Sequence, residues 1–159
     1  MRHLELKHLM SESRMLSILL GGALLQDMID PVLLITSVPT SLLTRVAVLT
    51  GHPTTVACLF AVSAVLLAPF LAASLMRDMA PLRRLAAKLA CLSLCIATVL
   101  WAYMGTISAG AGTGTVSNIF LRNAIMSLGF AAALAVSLNN QLMRKYQERE
   151  SRQGGGAHA

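Results

Sequence analysis

The sequence predicts an all-α membrane protein with four transmembrane helices, the first broken or kinked at Asp30–Pro31, and three observations lead there. Charged residues are only 13% of the 159, about half the share of an ordinary soluble domain. Hydrophobic residues reach 55% while aromatics stay at 4%, so the apolar content is aliphatic, which favours helices over the aromatic-girdled strands of an outer-membrane barrel. The apolar residues also gather into runs of roughly 20, the number a helix needs to cross about 30 Å of hydrocarbon.

The first fourteen residues, MRHLELKHLMSESR, form a cytoplasmic segment that mixes charge with Leu4, Leu6, Leu9 and Met10. They suit a short helix on the membrane surface or a solvated lead-in equally well. Residues 15–143 make the transmembrane domain. The first pass covers about 15–38 and contains Gln26, Asp27, Asp30 and Pro31. Its apolar start, Met15 to Leu25, is also the length of a signal-peptide core, but QDMIDP follows instead of a small-residue cleavage site, so retention is the better reading.

The second pass, about 56–76, is uncharged, with Pro69 as its one irregularity. Membrane helices tolerate proline where neighbours satisfy the freed carbonyl. The third, about 82–104, has Lys88 near its start and Trp101 and Tyr103 near its end, where amphipathic rings favour the interface. A flexible, uncharged external loop is expected at 105–118, GTISAGAGTGTVSN. Its GAGTG follows no strand and has neither phosphate-loop spacing, so nucleotide binding is not expected. The fourth pass, about 119–143, carries one charge, Arg122. The tail, 144–159, is expected to be helical through Arg144, Glu148 and Arg152, which repeat at i, i+4, and disordered over GGGAHA.

Eleven of the thirteen basic residues fall before the first pass, between the second and third or near the start of the third, or after the fourth, leaving only Arg45 and Arg122 on the other side. Basic residues near helix ends stay cytoplasmic. Both termini are therefore expected in the cytoplasm of a bacterial-type inner membrane, as an even number of passes requires. The net charge of +6 reads as topology rather than as affinity for nucleic acid, because the basic residues sit in short clusters between apolar runs.

The segment LLQDMIDPVLL places two carboxylates in an apolar run. As a single helix it would hold Asp27 about 18 Å and Asp30 about 22 Å above its start. One central aspartate costs roughly 2.5–3.5 kcal/mol on insertion scales. Protonation, a cationic partner or a water-admitting break would lower that cost. Arg122 lies near the height of Asp30, which makes an Asp30–Arg122 pair reasonable, although a long arginine side chain can also reach the headgroups. Asp30 followed by Pro31 is a helix-start pattern as well, giving half-helices Met15–Gln26 and Pro31–Leu43 with Asp30 as N-cap. Broken helices of this kind hold ion sites in transporters. Asp27 and Asp30 are thus the candidate ion- or proton-handling groups, and Arg122 the candidate charge partner.

No metal site or cofactor is expected. Cys58, Cys91 and Cys95 form no ligand pattern, the four histidines are scattered, and the chain has no GxSxG or HExxH. Nothing in the chain points to an enzyme. Small-residue rows at Ala64, Ala68, Ala72; at Ala86, Ala90; and on two faces of the fourth helix, Ser127, Ala131, Ala135 and Gly129, Ala133, Ser137, suit helix association in lipid. The expected partners are the lipid bilayer and a second copy or another membrane protein. Two functions follow as expectations: a subunit or accessory that works by association, or a homo-oligomeric proton- or cation-linked channel or carrier.

Overall fold

The computed structural model describes residues 2–75, 80–112 and 114–154. All five elements among them are helical: α1 (Arg2–Ser37), α2 (Leu42–Leu49), α3 (Pro53–Leu75), α4 (Ala80–Gly110) and α5 (Gly114–Gly154). Arg77 of the second basic cluster and the last five residues of the tail lie outside the described residues. Four helices are long and apolar enough to cross a membrane, over Ile18–Ser37, Pro53–Ser74, Arg84–Gly110 and Gly114–Asn140.

The break expected at Asp30–Pro31 is not where the chain turns. Helix α1 runs through Pro31 to Ser37, and the Pro31 side chain is among the fully buried ones. Asp30 is therefore interior to a helix and cannot be an N-cap, a position that needs non-helical backbone. The turn comes at Val38–Ser41, because Pro39 drives the residue before it away from helical geometry. Ser41 is the N-cap of α2, with extended backbone and its Oγ accepting the Thr44 N–H at 3.0 Å.

Thr44 closes the other side of the same turn. Its hydroxyl lies 2.8 Å from both the Leu34 and Val38 carbonyls, which also accept the Val38 and Ser41 N–H groups, so it adds a side-chain tie across the turn. The sequence TGHP then ends α2 and starts α3. Gly51 adopts a φ of 76°, the left-handed conformation that terminates helices without steric cost, and Pro53 occupies the first position of α3.

The spanning helices pack in series, α1 on α3, α3 on α4 and α4 on α5, with α2 laid across α1, α3 and α4 at one end. Helices α1 and α5 are the two ends of the series and have no extended packing with each other. Aromatic rings tie the middle together. Trp101 of α4 lies 4.9 Å from Phe60 of α3 and 5.6 Å from Phe120 of α5, centroid to centroid. The Trp101 ring is buried between helices, while Tyr103 is exposed.

The flexible loop expected at 105–118 is also corrected. Helix α4 continues to Gly110 and α5 begins at Gly114. The glycine and serine content serves close packing here. Ser117 Oγ donates to the Gly105 carbonyl at 2.9 Å, and a Cβ at Gly105 would stand 3.3 Å from Leu121 Cγ. Two of the expected small-residue rows are used. Ala86 and Ala90 of α4 and Ser127 and Ala131 of α5 are buried, whereas Gly129, Ala133 and Ser137 stay exposed.

Two outcomes test this packing. Thr44→Val keeps the shape but removes the hydroxyl that ties α2 to the end of α1, and should lower stability by about 0.5–1.5 kcal/mol, read as an earlier thermal unfolding transition in detergent. Gly105→Leu should overpack the α4–α5 hairpin and cost about 1–3 kcal/mol, measured in the same way.

Candidate functional site

The three charges singled out in the sequence all lie inside spans and all are exposed on the chain's surface: Asp27 and Asp30 on α1, Arg122 on α5. Asp27 and Asp30 lie within one turn of each other on α1, and Arg122 stands on α5, the other end helix of the series. Among the described residues, no hydrogen bond or ion pair joins Asp30 to Arg122.

Their placement follows from helical phase. At about 100° per residue, Asp30 lies about 160° around α1 from Met28, and Asp27 about 100°. Met28 is 1% exposed and marks the face that packs inward. Asp30 thus faces outward and Asp27 sits on the flank. Arg122 lies about 180° around α5 from the buried Ala131, so it too faces away from the core.

Pro31 adds a backbone feature to this patch. It has no N–H to give to the carbonyl four residues earlier, which belongs to Asp27. Asp27 consequently presents a carboxylate and a carbonyl without its usual helical donor at one level of the helix. Two oxygen acceptors of different kinds meet at a single residue.

Beneath the patch, the inward face of α1 is held by a polar contact that hydropathy alone passes over. Ser93 of α4 lies with its Oγ 2.6 Å from the Ser63 carbonyl of α3 and 3.5 Å from Met28 Sδ. Ser63 and Ser93 are both 0% exposed. A serine in the middle of an apolar run is the available signal for such a contact, since its hydroxyl must find an acceptor away from water. Gly21 sets the approach of α1 to α3 as well: a Cβ there would come within 2.6 Å of Leu71 Cδ2.

The remaining candidates do not converge. Among the described residues, no three His, Cys, Asp or Glu side chains come together as metal ligands. Cys91 Sγ approaches the Ala131 carbonyl at 3.7 Å and belongs to the α4–α5 contact. Cys58 and Cys95 are exposed on their helices, and His52 is exposed in the turn before α3. Comparisons with protein families, with characterised proteins and with solved structures each gave no match.

Ser93→Ala should loosen the grip of α4 on α1 and α3. The expected loss is about 0.6 kcal/mol and at most about 1.7, the range measured for hydrogen bonds between membrane helices, read from unfolding in mixed detergent micelles.

Proposed function

We propose that the protein is a small four-span subunit or accessory of a membrane complex, acting by association, in a bacterial-type inner membrane with both termini cytoplasmic. The observation that carries this reading is the charged group Asp27, Asp30 and Arg122, exposed on the surface of membrane-spanning helices. Lipid chains offer such groups neither hydrogen bonds nor counter-charge. A protein partner offers both. The end helices support the same reading, because only 22% of the α1 span and 22% of the α5 span is buried, against 39% and 44% for α3 and α4. The open row Gly129, Ala133, Ser137 on α5 suits close helix contact. The basic clusters outside the spans favour the stated orientation.

A second reading has its own support. Two carboxylates stand against one guanidinium, which leaves one negative charge open to a proton or small cation. The Asp27 carbonyl freed by Pro31 would supply a further oxygen. In that reading α1 kinks at Asp30–Pro31 and the chain is a homo-oligomeric channel or carrier, with Asp27 and Asp30 handling the ion.

The variants Asp27→Asn and Asp30→Asn separate the two. Under the association reading, each should reduce recovery of the intact complex in mild detergent while reconstituted liposomes show no pH-driven flux from wild type or variant. Flux from the wild-type protein that falls at least tenfold in the variants, with the complex intact, would replace association with transport.

A further inference from the structure

The outward faces of α1 and α5 share a pattern that the fold leaves unpaired. On α1, Leu19, Ala23, Gln26, Asp30, Leu33 and Ser37 recur at alternating steps of four and three, and all are exposed. On α5, Arg122, Met126, Gly129, Ala133, Val136 and Asn140 recur at the same steps and are likewise exposed. Alternating steps of four and three make the heptad seam along which two helices pack at a shallow left-handed angle.

The two stripes also match in level. Asp30 lies seven residues before the end of the α1 span, and Arg122 eight residues after the start of the α5 span. At 1.5 Å per residue both sit about 10–12 Å below the same face of the bundle. Ala23 and Gly129 then fall together at about 21–22 Å, where two small residues let backbones approach closely. Charge and size are complementary at corresponding heights.

Within one chain both stripes stay exposed, and among the described residues no hydrogen bond or ion pair joins Asp30 to Arg122. Arginine can extend its charge toward the headgroups. The short Asp30 carboxylate, about 10 Å down, cannot. We infer that the outward stripe of α1 packs against the outward stripe of α5 of a second copy of this chain, forming a two-fold dimer in which Asp30 of each protomer pairs with the partner's Arg122. A two-fold axis along the membrane normal makes both contacts at once, because a two-fold interface places the same patches together twice. The first and fourth spans run in opposite directions, so the paired helices are antiparallel. This inference rests on the association reading above and names its partner.

The reciprocal contacts give a decisive test. In Asp30→Arg chains every interface sets arginine against arginine, and in Arg122→Asp chains aspartate against aspartate. Each variant alone should lose self-association at least tenfold. Co-expressed with different tags, the two should pair with each other, because the mixed dimer restores opposite charges at both contacts. Rescue only when both changes share one chain, with none on mixing, would place the pair within a protomer and overturn the dimer.

Should either variant fail to accumulate in membranes, cross-linking keeps the proposal exposed. One tagged chain carries Ala23→Cys and the other Gly129→Cys, with Cys58, Cys91 and Cys95 replaced by alanine in both. Oxidation in membranes should join the two tags, and absence of the joined species would refute the interface. A wild-type chain recovered only with a different protein would sink self-pairing while leaving association standing. A wild-type chain recovered alone as a monomer would end both.

Discussion

A polar group placed among hydrocarbon must find its partner inside the protein, and the architecture of this chain depends on that requirement. Helices meet it for the backbone, which is why every described element is helical. The exceptions to backbone self-sufficiency are where side chains intervene. Ser41 serves the start of α2, Thr44 the end of α1, and Ser117 the mouth of the α4–α5 hairpin. Each is a hydroxyl at a place where the helical ladder stops or two helices come close.

Packing supplies the rest. Lipid tails are as apolar as leucine, so helix association draws on close fit and on a few hydrogen bonds instead of on burial from water. Gly21 and Gly105 bring neighbouring helices close enough for side chains to fill the gap. The Phe60, Trp101 and Phe120 rings span three helices in one continuous contact. Ser93 adds a bond from α4 to α3 while touching Met28 of α1. Three of the four spanning helices are thereby referred to one another near mid-span.

The same requirement is least met at the exposed charges of α1 and α5. These charges lie on surfaces the chain does not cover, and Pro31 leaves an acceptor beside one of them. A surface of this kind is stable in lipid when something of complementary chemistry lies against it.

Much of this was legible in the sequence. The scarcity of charge and the length of the apolar runs determined an all-helical chain with four helices long and apolar enough to cross a membrane, because a helix satisfies the backbone of such a segment within itself. The identity of the unusual residues, Asp27, Asp30 and Arg122, was equally plain, since charge in an apolar run needs no structure to be noticed. The tertiary structure decided what local pattern could not. Asp30–Pro31 reads locally as a helix start, but the chain turns at Pro39, where Ser41 and Thr44 can cap both helices. GTISAGAGTGTVSN reads as a loop, but α4 runs to Gly110 and α5 starts at Gly114, with Ser117 donating back to the Gly105 carbonyl. Trp101 is noticed in the sequence as an aromatic near a helix end, and only the fold shows it stacked between Phe60 and Phe120. In each case the local preference was real and weak, and contacts between residues distant in the chain outweighed it.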